Sequence, residues 1–277
     1  MTAHVSVNVS LLPKVCFALQ QNDIPLIRQL TLRNATEHEL TDVRCVISAS
    51  PSFLENHEQH FSSLAPGKDY TTNDLNTRLN YQFLSEVSER VRGTINLQLL
   101  QGCNGTQSEL HHENFSVDVL PYDVWPGGEI IPELLAAYIT PNNDAVEYIM
   151  SQAGDSLVQK PNGPGSLSGY QSRSKQSVFQ MVQALFNSVT QLGITYSNPA
   201  ANFEQTGQRI RFPHKICESK LATCLDSALL FAAILEQTGL NALVLLHEGH
   251  AYVGCHLIDE TFPNPIVDDL QSIRKRQ

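Results

Sequence analysis

The chain changes its hydrophobic period once, and that change limits what it can fold into more than any other feature. Over residues 1–120 apolar side chains recur at every second position, as in Ile95, Leu97 and Leu99 and again in Phe115, Val117 and Val119. A period of two sends neighbouring side chains to opposite faces of an extended strand, so one face can be buried and the other wetted. Seven short runs rich in Val, Ile, Leu, Phe and Thr occupy 5–12, 15–19, 25–32, 43–49, 70–79, 92–100 and 114–120. Polar or glycine-bearing turns such as Leu64-Ala-Pro-Gly67 separate them. Strands at this spacing predict an antiparallel β-sandwich, immunoglobulin-like, over 1–120.

Residues 121–132 hold three prolines and two glycines and read as a linker. Trp125, the only tryptophan, is expected to pack there rather than to bind a partner. From 133 the period becomes helical. A short helix over 133–139 stops at Pro141, a second covers 143–152, and a third covers 174–192. The third carries Val178, Met181, Val182, Leu185, Phe186 and Val189 on one stripe and is closed by Gly193. The stretch 195–216 is irregular and polar, the kind of long loop that builds a functional rim. Residues 133–277 therefore predict an α+β domain following the sandwich.

Charge and composition narrow the function classes. The formal charge is −10, from 28 acidic and 18 basic residues, which repels a phosphate backbone; direct nucleic-acid binding is not expected. The basic triplet Arg274-Lys-Arg276 reads as a solvated terminus. Six cysteines without a CxxC pair fit a reducing compartment, so the Asn104-Gly-Thr106 sequon is not expected to be used. No leader-like segment opens the chain, and its longest apolar run, 228–235, is eight residues against the roughly 20 a membrane span needs. The expectation is a cytoplasmic protein with no membrane contact. Gly163-Pro-Gly165 lacks the lysine and strand-to-helix setting of a phosphate loop, and no cofactor is expected.

Chemistry gathers at Cys224 and His250. Thr223 is a plausible N-cap with Asp226 three residues on, where a carboxylate closes a capping box. Cys224 then sits in the first turn of an apolar helix, where unpaired backbone amides favour a thiolate. Gly239 caps the helix, 241–247 reads as a strand, Glu248-Gly249 as a tight turn and 250–258 as the returning strand. His250, Tyr252, Gly254 and His256 share one face of that strand. A Cys–His pair of this kind takes the thiol proton and returns it to a leaving group. Two blander uses stay open: structural burial of the cysteine beside a turn histidine, and zinc held among His214, Cys217, Cys224, His247, His250, Cys255 and His256, none at CxxC or HExxH spacing.

The segments Tyr196-Ser-Asn-Pro199, Phe203-Glu-Gln-Thr-Gly-Gln208, Thr223-Cys-Leu-Asp-Ser-Ala-Leu-Leu-Phe-Ala-Ala233 and Glu248-Gly-His-Ala-Tyr-Val-Gly254 carry a resemblance. They resemble the transglutaminase-like superfamily of papain-type cysteine enzymes. More closely they are similar to a conserved domain of large bacterial proteins, where it precedes a superfamily 1 helicase module, often with a nuclease-like end. The resemblance spans about residues 130–277, and the β-rich part resembles the domain's usual companion. It implies a papain-like core with Cys224 as nucleophile and His250 as base.

That superfamily orients its histidine with an acid. Asp259 and Glu260 follow at once, but nine or ten extended residues carry them about 30 Å along the strand from His250. A turn at Pro263 and Pro265 would let 266–270 run back beside His250, which favours Asp268, or its neighbour Asp269. By resemblance a further strand follows the basic segment, so an acid beyond Gln277 is the third option. The Cys224 amide is expected as one oxyanion donor, and Gln205, Gln208 or Gln176 as another, with nothing in the sequence to choose among the three.

Two function classes follow. One is a cysteine hydrolase or acyltransferase acting on an amide or isopeptide of a protein or peptide substrate. The other is a non-catalytic peptide-binding or scaffolding module that positions a downstream helicase–nuclease effector, by resemblance in antiviral defence.

Overall fold

The computed structural model describes residues 5–73, 75–103, 106–160, 163–200 and 202–269; the Asn104 sequon and the 270–277 tail lie outside them. The chain divides into two compact units, Met1–Pro126 and Gly127–Gln277, and the division falls inside the proline- and glycine-rich stretch. The fold is mixed and β-rich, an α+β arrangement of several sheets and helices with no closed barrel among the described residues.

The first unit holds two sheets. Strands β1 (Val5–Leu11), β3 (Ile27–Asn34) and β6 (Asp69–Thr72) form one, antiparallel, in the order β1-β3-β6. The other runs β2-β8-β7-β4-β5, from β2 (Lys14–Val15), β8 (Thr106–Val119), β7 (Val91–Cys103), β4 (Leu40–Ser50) and β5 (His57–Leu64). All its pairings are antiparallel except β2 on β8. The alternation works as expected: Ile95, Leu97, Leu99, Val117 and Val119 are buried. Trp125 is completely buried.

Three sequence expectations for this unit need correction. Residues 15–19 do not form a strand: β2 ends at Val15, and helix α1 (Phe17–Gln21) follows, because Phe-Ala-Leu-Gln-Gln suits a helix and the run is too short to pair further. Of 70–79 only the first residues pair, in β6. β5 was hidden by its polar composition; it is an edge strand, whose single neighbour is β4. The turn after it leads to β6, and a short helix α2 (Tyr81–Glu86) comes later, where the Asn80 side chain accepts the Phe83 N–H at 3.0 Å.

In the second unit a 3-10 turn, Pro132–Tyr138, precedes α3 (Asp144–Val158) and α4 (Lys175–Thr190). The polar stretch that follows contains β9 (Thr195–Tyr196), α5 (Phe203–Thr206) and α6 (Pro213–Ser219). Then come β10 (Leu221–Ala222), α7 (Cys224–Gln237), β11 (Ala242–His247) and β12 (His250–Cys255). Ile149, Ala153 and Leu157 of α3, Val178, Met181 and Leu185 of α4, and Leu230, Ala233 and Ile234 of α7 share one core. The β11–β12 hairpin lays Ala242, Val253 and Cys255 against it. Nine of the fourteen residues of α7 are buried, which marks it as the central helix of the unit. No helix among the described residues is long and apolar enough to cross a membrane.

Candidate active site

The first turn of α7 is built as the Thr223…Asp226 spacing predicts. Thr223 Oγ1 accepts the Asp226 N–H at 3.1 Å, and the Asp226 carboxylate accepts the Thr223 N–H at 2.9 Å, a complete capping box. Asp226 does more than cap. It is fully buried, and it also accepts the Arg211 backbone N–H at 2.8 Å and Arg211 Nη1 at 3.0 Å. Three donors on one buried carboxylate offset its desolvation and tie the approach segment, fifteen residues upstream, to the helix start. Arg211 carries no pattern signal in the sequence; only the long-range contact reveals it.

Cys224 is the first residue of α7 and is half-buried. Parallel pairing of Tyr196 with Ala222, reinforced by the Ser197 N–H on the Ala222 carbonyl at 2.8 Å, brings Tyr196 beside it. The Tyr196 phenol is pushed above its ordinary pKa by partial desolvation, then by the charge of the Cys224 sulfur and hydrogen bonding to it. Tyr196 was legible as part of a polar rim and of the Tyr196-Ser-Asn-Pro199 segment, but its place beside the thiol was not, because the two-residue strand that aims it is too short for any periodicity.

The structure separates the two glutamines. Gln208 is buried and its Nε2 donates to Thr223 Oγ1 at 3.0 Å, one residue from Cys224. Its Oε1 is buried and has no hydrogen-bond partner among the described residues. Gln205 is exposed on α5, and Gln176 is exposed on the first turn of α4. Gly127 packs against the loop that carries these residues, with φ +97° and so little room that a Cβ would lie 2.0 Å from the Gln205 carbonyl oxygen.

His250 opens β12. Glu248 and Gly249 both have positive φ, 45° and 77°, the geometry of a two-residue hairpin turn, and His247 pairs with His250 across it. Six residues of β11 cover about 20 Å and the fourteen of α7 about 21 Å. The hairpin packs on α7, and Ala242, Val253 and Cys255, at the end of the hairpin away from its turn, meet the core. Ala251 is buried, whereas His250 and Tyr252 are exposed on the opposite face. The His250 ring lies 6.1 Å from that of Tyr252, and no hydrogen bond joins it to the Cys224 thiol among the described residues.

The segment 266–270, expected to run back beside His250, is irregular over its described part, 266–269, and Asp268 and Asp269 are exposed there. Leu270 lies outside the described residues. Asp259 and Glu260, at the other end of the hairpin, meet Asn241, whose Nδ2 lies 3.4 Å from Asp259 Oδ1 and 2.9 Å from the Glu260 carbonyl. Among the described residues no group of three or more His, Cys, Asp or Glu is arranged to hold a metal ion.

No protein-family model matches the chain. No curated protein matches it. Among solved structures, the native conformation of E. coli alpha-2-macroglobulin, a single-particle cryo-EM reconstruction, is similar over 71% of this chain at 12% identity, with a TM-score of 0.28. The chain spans only 14% of that protein's length, and a likeness this slight carries no argument about fold or function.

Proposed function

We propose that the second unit is a thiol-dependent amide hydrolase or acyltransferase of the transglutaminase-like, papain-type class, with Cys224 as nucleophile and His250 as its base. The first unit is then its immunoglobulin-like sandwich companion, and both belong to a bacterial helicase-related protein. One observation carries the reading: a half-buried cysteine starts the central buried helix behind a complete capping box, and the hairpin that carries His250 packs on the same helix.

The chemistry balances as acyl transfer. The His250 ring takes the Cys224 proton, and the thiolate attacks the amide carbonyl carbon. As the tetrahedral intermediate collapses, the carbon–nitrogen bond breaks and the amine leaves with the proton from the imidazolium. Water or an acceptor amine then attacks the thioester, the carbon–sulfur bond breaks and the thiol is reprotonated. The Cys224 amide and Gln208 are the oxyanion donors. Turning the Gln208 amide by 180° lets Thr223 Oγ1–H donate to Oε1 and leaves the Nε2 N–H groups as the open donors. Asp268 is the in-chain residue proposed to orient the ring.

A second reading has its own observation. The exposed His250 ring, turned toward Tyr252, suits a non-catalytic peptide-binding module that positions a helicase–nuclease effector. An activated ester separates the two. With p-nitrophenyl acetate, intact mass should show an acetyl group on Cys224 that forms and then turns over, and is lost in Cys224→Ser. Acetylation no faster than that of an unfolded cysteine peptide would leave only the binding reading.

A further inference from the structure

Over the first two turns of α7, residues 224–231, the residues that escape burial are not scattered. Cys224, Ser227 and Phe231 lie at i, i+3 and i+7 and so share one stripe, while every residue between them is buried. The stripe does not end at Phe231. Its ring stacks on Phe186 of α4, with centroids 5.7 Å apart and planes at 15°. Phe186 is 54% exposed, and Phe179, two turns earlier on the same face of α4, is 53% exposed. At the other end Tyr196, 53% exposed, stands against the thiol. Large aromatic rings left in water beside one another mark a recognition surface more often than chance decoration.

Charge says what kind of partner the shelf takes. α4 carries a single charged residue, Lys175, in sixteen, in a chain that is 17% charged. An anionic or cationic partner finds little to pair with there. An apolar side chain finds a stacked pair of rings with a free face. Length says where that side chain stands in the substrate. Seven helical residues separate Phe231 from the thiol by about 10 Å, which is the span of three residues of an extended peptide.

We propose that the Phe186–Phe231 pair is a substrate subsite that holds an apolar side chain three residues from the carbonyl presented to Cys224. The occupant is thus an extended peptide segment with an uncharged, apolar residue at that position. The inference rests on the acyl-transfer reading of Cys224 for its register, but the subsite exists whether or not the thiol turns over.

Two peptidyl chloromethyl ketones test it, acetyl-Phe-Ser-Ser-Gly and acetyl-Asp-Ser-Ser-Gly, each alkylating Cys224 with loss of chloride. Rates are read by intact mass and divided by the same chain's iodoacetamide rate, so that changes in thiol reactivity cancel. The apolar probe should be at least about tenfold faster, from burial of one side chain. That preference should fall to within about twofold in Phe186→Gln and in Phe231→Ala. Phe186 is exposed, so its substitution leaves the core intact even if Phe231→Ala does not fold. Equal rates for the two probes on the native chain, or a preference that survives both substitutions, would overturn the proposal. A Cys224→Ser chain, titrated by anisotropy with fluorescent Phe-Ser-Ser-Gly and Asp-Ser-Ser-Gly amides, keeps this separate from catalysis. Preferred binding of the Phe peptide there supports the subsite even with an inert thiol, and equal binding overturns it even if p-nitrophenyl acetate acylates Cys224.

Discussion

Replacing Asp226 by Asn should unfasten the candidate site and cost the second unit much of its stability. The carboxylate is fully buried and uses both oxygens: Oδ1 accepts the Arg211 N–H, while Oδ2 accepts the Thr223 N–H and Arg211 Nη1. Asparagine keeps one oxygen and turns the other position into an N–H donor that faces a donor. If its oxygen stays at the two-bond position, the Arg211 backbone N–H is left unpaired against an amide. Hydrogen bonds to a charged group contribute about 1.5–3 kcal/mol each, and a buried group stripped of its partner costs about 1–3 kcal/mol. Breaking a fully buried ion pair would cost about 3–5 kcal/mol. The Arg211 side chain is 36% exposed, however, and water takes over part of its loss. The expected destabilisation is about 2–4 kcal/mol, or about 5–15 °C in Tm for a unit of this size. Urea unfolding followed by far-UV circular dichroism reads it. Glu218→Gln is the contrast: its 3.0 Å pair with Lys215 is exposed and screened by solvent, so its loss should barely move the urea midpoint. In a double-mutant cycle with Arg211→Met the losses should be markedly less than additive. An Asp226→Asn loss no larger than that of Glu218→Gln would refute the view that this carboxylate ties the segment to the helix.

Gln208→Ala should lower the acylation rate of Cys224 by about 10²–10³-fold, whereas Gln205→Ala, at an exposed position, should change it less than about threefold. Comparable losses from both would remove Gln208 from the oxyanion role. Gly127→Ala places a Cβ against the Gln205 carbonyl and Gly207 N at a φ of +97°, and should cost roughly 2 kcal/mol or more in a thermal melt; a neutral outcome would show that the turn gives way. Burial pushes the Cys45 thiol from its ordinary 9.0 to about 12. The native state therefore keeps that proton after the unfolded chain has released it. The resulting stability is fully present below pH 9 and is lost as pH rises toward 12, with a slope of at most about 1.4 kcal/mol per pH unit. Urea midpoints between pH 8 and 11 in the native chain and Cys45→Ala read this, and parallel pH profiles for the two would contradict it.

Much of this arrangement was legible because one-dimensional periods express it. Leu97 and Leu99 alternate into the sheet, Met181 and Leu185 fall on one helix face, and Thr223 and Asp226 meet within one turn. Glu248-Gly249 signalled its hairpin for the same reason: the geometry is local. What escaped was set by partners far along the chain. Arg211 earns its place only through Asp226, and Tyr196 only through a two-residue pairing with the strand before Cys224. β5 buries His57, Gln59 and Phe61 partly, and polar residues at partly buried edge positions carry no alternation that hydrophobicity can report. Ile266 and Val267 show the converse: they supply β-propensity, but the described residues offer no neighbouring strand to pair with them, and 266–269 is irregular.

The account depends most on whether Cys224 and His250 act together. Single-turnover acylation of the full chain by p-nitrophenyl acetate at pH 7, followed by intact mass, compares the native protein with His250→Ala, and with Cys224→Ser as the blank. General-base assistance predicts that His250→Ala slows formation of the Cys224 thioester by about 10²-fold or more while an imidazole supplement restores part of the rate. Equal rates in the native chain and His250→Ala, or acetyl groups spread over Cys217 and Cys255 as readily as Cys224, would contradict it.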